Sequence, residues 1–193
     1  MSEQPLAPGG NGDLIRVVVA GITMDPTNNM PVVLLKEAES TMAIPIWIGL
    51  VEASAIASEL EGTRLARPMT HDLLKGVLFT LGGTLERVEV TDLRDNTFYA
   101  NLVLRALDGQ THLVDSRPSD AIALALRTGA TIFVARKVLE ATQLVDLAQI
   151  RKEESSKDGE SKDGKKATGE PSKDKWTQIL ENLKPEDFGK YKM

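Results

Sequence analysis

Two short stretches of the sequence hold the side chains best suited to proton transfer and cation binding. One is Arg67-Pro68-Met69-Thr70-His71-Asp72, and the other is Asp115-Ser116-Arg117-Pro118-Ser119-Asp120. Histidine exchanges protons near neutral pH, so His71 is a candidate general base. In the second stretch two acids flank one arginine, which predicts that Asp115, Arg117 and Asp120 lie together at one rim of a site.

Each stretch also has a plain structural interpretation, as the corner where a helix begins. Thr70 and Ser119 are typical helix caps, because their hydroxyls accept a hydrogen bond from an unpaired backbone N–H of the first turn. Asp72 and Asp120 would then lie in first turns, where the helix dipole favours a carboxylate and disfavours a charged histidine. The residue types alone leave both interpretations open.

Three carboxylates are candidate ligands for a divalent metal ion. Glu52 is expected in the first turn of a helix that follows an apolar strand, and Asp115 and Asp120 lie at the second corner. A hard cation such as Mg²⁺ needs only one or two carboxylates together with a substrate phosphate. The alternative is that Glu52 belongs to a solvated helix face, together with Glu59 and Glu61.

Composition limits the classes of function. The sequence has no cysteine, which excludes disulfides, thiolate catalysis and cysteine-ligated zinc. It also has no His-x-x-His, HExxH or phosphate-binding glycine loop. Residues 1–150 carry 12 Lys and Arg against 18 Asp and Glu, and this acidic balance argues against non-specific binding of nucleic acid. We expect no membrane span and no signal peptide, since neither type of apolar run is present.

The order of predicted elements favours an α+β fold, with a mixed, largely antiparallel sheet packed with helices. Alternating and β-branched residues predict strands at 13–20, 32–35, 43–48, 85–93, 97–107, 110–116 and 131–135. Helical spacing predicts helices at 51–60, from Thr70 to about residue 81, from Ser119 to Gly129, and at 137–141. The second helix carries an apolar stripe that we expect to be buried, formed by Leu73, Leu74, Val77, Leu78 and Leu81.

Composition also divides the chain into four segments. Residues 1–12 are predicted to be a disordered tail, and residues 13–148 a single compact domain. Residues 149–173 are predicted to be a disordered charged linker. Residues 174–186 are predicted to form a short amphipathic helix, with Trp176, Ile179, Leu180 and Leu183 on one face. Such a helix would dock either on its own domain or on a protein partner.

Four blocks of the sequence, taken in order, are similar to motifs of the bifunctional nuclease domain family. They are Pro45-Ile46-Trp47-Ile48-Gly49, Arg67 to Leu74, Asp95 to Ala100, and Asp115 to Ile122. The resemblance extends from about Asp13 to Leu147, and four ordered blocks are more specific than any single motif. Met69 stands where the family usually has Leu, but this departure changes no charged group.

The resemblance implies a compact α+β domain that self-associates, and an activity that hydrolyses DNA, RNA or both. The bacterial members of the family are mostly small cytosolic proteins, which implies a cytoplasmic location. On this basis we expect His71, Asp72 and Asp120 to be catalytic, Arg67 and Arg117 to bind the substrate phosphate, and Asp115, Asp120 and Glu52 to hold Mg²⁺ or Mn²⁺. No organic cofactor is expected. The alternative is a non-enzymatic oligomeric module that binds a ligand or a protein.

Overall fold

Eight strands and four helices, with a fifth helical stretch at residues 147–150, follow one another in a computed structural model that describes residues 14–150. The strands are β1 (Leu14–Met24), β2 (Pro31–Lys36), β3 (Met42–Trp47), β4 (Thr84–Arg94), β5 (Thr97–Arg105), β6 (Thr111–Ser116), β7 (Thr131–Ala135) and β8 (Val145–Asp146). The helices are α1 (Leu50–Leu60), α2 (Thr70–Thr80), α3 (Pro118–Thr128) and α4 (Arg136–Ala141).

The strands form a single sheet in the order β6-β5-β4-β7-β1-β2-β3-β8. Each neighbouring pair is antiparallel except β4 and β7, which run parallel. Pro45 pairs with Leu34 on one side only, because the two-residue strand β8 reaches no further than Met42 and Ala43. The predicted α+β class with a mixed, largely antiparallel sheet is therefore confirmed.

Helix α3 lies at the centre of the helices, and both α3 and α1 pack on the sheet. It packs on β4 and β5 and is contacted by both α1 and α2. Its run of alanine, leucine and isoleucine is almost wholly buried, and Ile122 and Leu124 join a core that includes Leu35, Ile44 and Ile56. Burying a side chain of this size contributes about 1.5–3 kcal/mol. Both ends of α3 are therefore held in fixed positions relative to α1 and α2.

Helix α2 does not bury the apolar stripe that its sequence predicts. None of its residues is buried, and only Leu78 packs partly against the core. The other four members are between 45% and 73% exposed, and we call them the α2 apolar surface: Leu73, Leu74, Val77 and Leu81. The prediction of burial was wrong because α2 lies against α3 on the outside of the domain, so its apolar stripe finds no second layer within residues 14–150.

Neither predicted hydroxyl cap begins its helix. Helix α2 starts at Thr70, so its cap is Met69, whose backbone N–H donates to Asp72 Oδ2 at 2.9 Å. Helix α3 starts at Pro118, and Ser119 is buried in its first turn. Proline suits the first helical position because its fixed φ matches the helix and its missing N–H needs no partner. The helix therefore begins earlier than the serine predicts.

Several sequence predictions concern residues outside the described range. The predicted N-terminal tail, the amphipathic C-terminal helix and all of the charged linker except residues 149 and 150, which are helical, fall in residues 1–13 and 151–193, so these segments and the domain boundaries stay predictions. Among residues 14–150, no helix combines the length and the apolar character needed to cross a bilayer.

Candidate active site

The first turns of α2 and α3 meet, and they bring together a histidine and an aspartate. His71 Nε2 lies 3.2 Å from Asp120 Oδ1, although the two residues are far apart in the sequence. The His71 side chain is 13% exposed and that of Asp120 is partly exposed. An imidazole that is largely shielded from water therefore faces a carboxylate at hydrogen-bonding distance.

Arg117 joins this pair to a second acid. Its Nε and Nη2 donate to the two carboxylate oxygens of Asp120 at 2.7 and 3.1 Å, and its Nη1 donates to Glu52 Oε1 at 2.8 Å. A guanidinium has five N–H donors, so two remain for a ligand. The side chain of Arg117 is exposed, which makes those donors accessible. We call Glu52, His71, Arg117 and Asp120 the His71 cluster.

The position of Glu52 follows from the way β3 ends. Gly49 is the cap of α1, and Glu52 lies in the first turn of that helix. A Cβ at position 49 would collide with Glu52 Oε2, so the glycine leaves the space that this carboxylate occupies. The strand–glycine–helix corner therefore positions the acid that accepts from Arg117.

Contacts within the cluster stabilise the charged forms of Asp120 and Arg117. Burial by itself would raise the pKa of Asp120, but hydrogen bonds from Arg117 and His71 outweigh it, so the pKa lies below its usual value. The hydrogen bond to Asp120 in turn raises the pKa of Arg117. At neutral pH Asp120 is thus ionised, and an ionised carboxylate can orient an imidazole and stabilise its protonated form.

Asp72 follows His71 in the sequence but contacts the opposite end of α3. Its Oδ1 accepts from Arg127 Nε at 2.9 Å. Arg127 is buried, and its Nη1 also donates to the carbonyl oxygens of Ala55 and Ala123 at 2.9 and 3.0 Å. The backbone N–H of Met69 and then Arg127 hold the pKa of Asp72 below its usual value. These contacts tie α2 to α1 and α3, and they separate Asp72 from the His71 cluster.

Arg67 is likewise placed apart from the cluster. It lines a pocket of about 330 Å³ between the end of α1, the loop that follows and the start of α2. Asp72 and Arg127 line the same pocket, whereas no member of the His71 cluster does. The two predicted phosphate-binding arginines therefore lie at different places.

The structure does not gather the three predicted metal ligands. Asp115 pairs with Asn101 across β5 and β6, while the neighbouring Ala100 and Leu102 face the core. Because side chains alternate along a strand, Asp115 points away from the face on which α3 packs. Arg117 lies between Glu52 and Asp120, so these two acids fit a guanidinium. Within residues 14–150, no group of three or more histidine, aspartate and glutamate side chains is arranged to hold a metal ion.

Sequence reasoning missed Arg127, Lys75 and Arg64, which all line the pocket. Lys75 Nζ donates to the carbonyl oxygen of Arg127 at 2.5 Å. Arg127 could have been noticed as a cation in the last turn of α3, where the helix dipole favours positive charge, whereas Lys75 in the middle of α2 gives no such signal. Nothing in the sequence indicates that Arg127 is buried, because its neighbours in α3 would accommodate an exposed arginine equally well.

Comparison with known proteins agrees with the motif resemblance. The family model for the bifunctional nuclease domain matches residues 33–146, which include both helix starts. An uncharacterised protein of Mycobacterium tuberculosis is 37% identical over 172 residues, covering 89% of this chain and 96% of that protein. Bifunctional nuclease 1 of Oryza sativa is 26% identical over 116 residues, covering 59% of this chain and 35% of the plant protein. The chain therefore belongs to the bifunctional nuclease domain family.

Proposed function

We propose that the chain hydrolyses phosphodiester bonds of DNA or RNA at the His71 cluster. The observation that carries this proposal is the approach of His71 Nε2 to within 3.2 Å of a carboxylate that also binds the exposed Arg117. Membership of the family agrees with it, because plant relatives carry the name bifunctional nuclease. His71, the candidate acid–base group, and Arg117, the candidate phosphate-binding group, therefore both contact Asp120.

Each member of the cluster has a distinct role in this proposal. Asp120 holds the ring through Nε2, which leaves Nδ1 to accept a proton from water or to donate one to the leaving oxygen. The two unused N–H groups of Arg117 bind phosphate oxygens, whose negative charge grows in the transition state. Glu52 holds the guanidinium from the other side and fixes its direction.

Divalent metal assistance was expected from the sequence and is tested separately. Glu52, Asp115 and Asp120 do not fit a common cation, so the roles above are given only to side chains of the chain itself. Cleavage is measured with Mg²⁺, with Mn²⁺ and with excess EDTA. A rate that survives EDTA rejects the predicted metal, and a rate that Mg²⁺ or Mn²⁺ restores supports it.

The test of hydrolysis compares the two histidines of the chain. End-labelled single-stranded DNA and RNA are incubated with the full chain, with His71→Ala and with His112→Ala. Loss of an acid–base group lowers the rate by about 10²–10⁴-fold. We expect that loss for His71→Ala alone, because His112 is exposed on β6. Cleavage by His71→Ala at the wild-type rate, or activity that separates from the protein on further purification, would contradict the proposal.

The α2 apolar surface favours the second candidate function, an oligomeric binding module. Exposed apolar side chains grouped on one helix mark protein interfaces, and a helix paired with its own copy gives a symmetric dimer. We propose that two copies of the chain associate through α2. Self-association and catalysis are compatible, so a dimer without nuclease activity is the outcome that would favour the module.

Sedimentation velocity tests this association. The wild type is expected to be a dimer, and Leu73→Glu a monomer, since a buried unpaired charge at the interface is costly. Met30→Glu, at an exposed apolar residue in the β1–β2 connection, is the control and should remain dimeric. A monomeric wild type, or a dimeric Leu73→Glu, would reject the α2 interface. The cytoplasmic location and a protein partner for residues 174–186 stay predictions.

A further inference from the structure

The His71 cluster cannot attract a polyanion by its own charge. Glu52 and Asp120 together offset Arg117, and residues 1–150 carry six more acidic than basic side chains. Binding of nucleic acid depends on cations that neutralise phosphates. If the chain handles a nucleic acid, the positive charge that holds the strand must lie elsewhere on the domain.

The pocket beside the start of α2 has the opposite charge balance. Four cationic and two acidic side chains line it: Arg64, Arg67, Lys75 and Arg127, with Glu59 and Asp72. Asp72 is already bound to Arg127. Arg64 and Arg67 are exposed, and neither has a hydrogen bond or an ion pair within the part of the chain that the structure describes. Two guanidinium groups without a partner among residues 14–150 therefore line the pocket.

The volume of the pocket and its position beside α2 limit the kind of ligand that fits it. The volume of about 330 Å³ is at the small end for ligand pockets, which suits a phosphate with its sugar rather than a large cofactor. Met69 and Asp72 line the pocket, so it adjoins the first turn of α2, whose dipole favours an anion. His71 belongs to the same turn, so the pocket and the His71 cluster lie on either side of one helix start.

We propose that this pocket binds a backbone phosphate of a nucleic-acid strand, next to the phosphodiester that the His71 cluster cleaves. The second half of this statement rests on the proposed nuclease function, whereas capture of the strand does not. Arg64 and Arg67 bind the phosphate oxygens directly. Lys75 adds positive charge from α2, and Arg127 holds the wall in place through its contacts with α1 and α3.

The test measures binding without cleavage. Fluorescence anisotropy of an end-labelled single-stranded DNA of about 12 nucleotides, long enough to make several phosphate contacts, is recorded with the full chain carrying His71→Ala. The double substitution Arg64→Ala/Arg67→Ala is added to this background. Its matched control is Arg16→Ala/Arg136→Ala, which removes two positive charges from exposed positions outside the pocket.

The pocket variant is expected to raise the Kd about tenfold or more, since hydrogen bonds to charged groups are lost. It is also expected to reduce the slope of log Kd against log salt by about 0.7–1, because one phosphate of the single strand is no longer neutralised. The control should change the Kd by about twofold or less. Equal weakening by the two double variants would show a general charge effect and overturn the pocket.

A competition experiment with AMP distinguishes binding of a nucleic-acid strand from binding of a free nucleotide. AMP carries the same phosphate chemistry, and weak displacement of the labelled DNA by AMP agrees with a pocket that holds one phosphate of a longer strand. Direct binding of AMP as tight as that of the DNA would overturn the assignment to a strand. If the chain does not cleave nucleic acid, the tenfold loss of binding is still expected for Arg64→Ala/Arg67→Ala. If this variant leaves the Kd unchanged, the pocket is rejected, even if His71 proves catalytic.

Discussion

The two ends of α3 each carry an arginine that is paired with a carboxylate of another helix, Glu52 of α1 or Asp72 of α2, yet the two arginines lie in opposite surroundings. The side chain of Arg117 is 60% exposed, and that of Arg127 is 3% exposed. Arg127 spends its donors on Asp72 and on two backbone carbonyls. Arg117 keeps two donors without a partner among residues 14–150. The comparison shows that a similar ion pair can join helices at one end of α3 and leave a guanidinium exposed to solvent at the other.

The first turn of α2 contacts both ends of α3. Successive helical residues point about 100° apart, so His71 and Asp72 leave the first turn in different directions. His71 contacts Asp120 near the beginning of α3, and Asp72 contacts Arg127 near its end. One short motif therefore combines a candidate catalytic residue with a residue that joins helices.

The largest expected difference between the two arginines is in stability. Replacing Arg127 with Leu removes a buried guanidinium that donates to the partly exposed Asp72 and to two carbonyl oxygens, and losing hydrogen bonds that involve a charged group costs about 1.5–3 kcal/mol each. Arg117→Leu removes an exposed pair and should cost about 1 kcal/mol or less. Urea unfolding of the two variants measures both values. Equal losses would mean that the ends of α3 do not differ as described.

A smaller effect is expected in the pH dependence of stability. The pKa of Asp72 is lowered in the folded chain, so its contribution is present above the unfolded value of about 3.8 and is lost as the pH falls through the folded pKa. The gap in unfolding free energy between wild type and Asp72→Asn should thus be full at about pH 7 and should narrow as the pH falls below about 3.8. A gap that stays constant would show that the Asp72 charge contributes nothing to folding.

The smallest expected effect concerns a contact at the C-terminal end of α3. Lys75 donates to the carbonyl oxygen of Arg127, and a cation at a helix C-terminus contributes about 0.3–1 kcal/mol. Lys75→Met keeps the length of the side chain and should lower the free energy of unfolding by about that amount. Thermal unfolding at low and high salt measures it, and the difference should shrink as salt screens the charge. An increase in stability would contradict the assigned contact.

Much of the architecture could be predicted from local patterns. The strand alternation and the helix from Thr70 each depend on residues close in sequence. The meeting of His71, Arg117 and Asp120 was expected and is seen. Asp115 was expected to join them, but the alternation of side chains in β6 directs it to the other face of the sheet.

The remaining differences depend on contacts between distant residues. The periodicity of α2 indicates that one face is apolar, but it cannot say whether this domain or a second copy covers that face. The burial of Arg127 arises because α1, α2 and α3 converge on its side chain, and no local pattern encodes that convergence. The pocket likewise combines the end of α1, a loop and α2 with the last turn of α3.

The most direct test of the central claim is the cleavage rate of Asp120→Asn on labelled DNA and RNA. Asparagine keeps the size of the side chain but removes the charge that orients His71 and holds Arg117. The matched control is Asp108→Asn, at an exposed aspartate in the turn between β5 and β6. The account predicts a loss of about 10²-fold or more for Asp120→Asn, with folding retained, and no loss for the control. Wild-type rates for Asp120→Asn would contradict it.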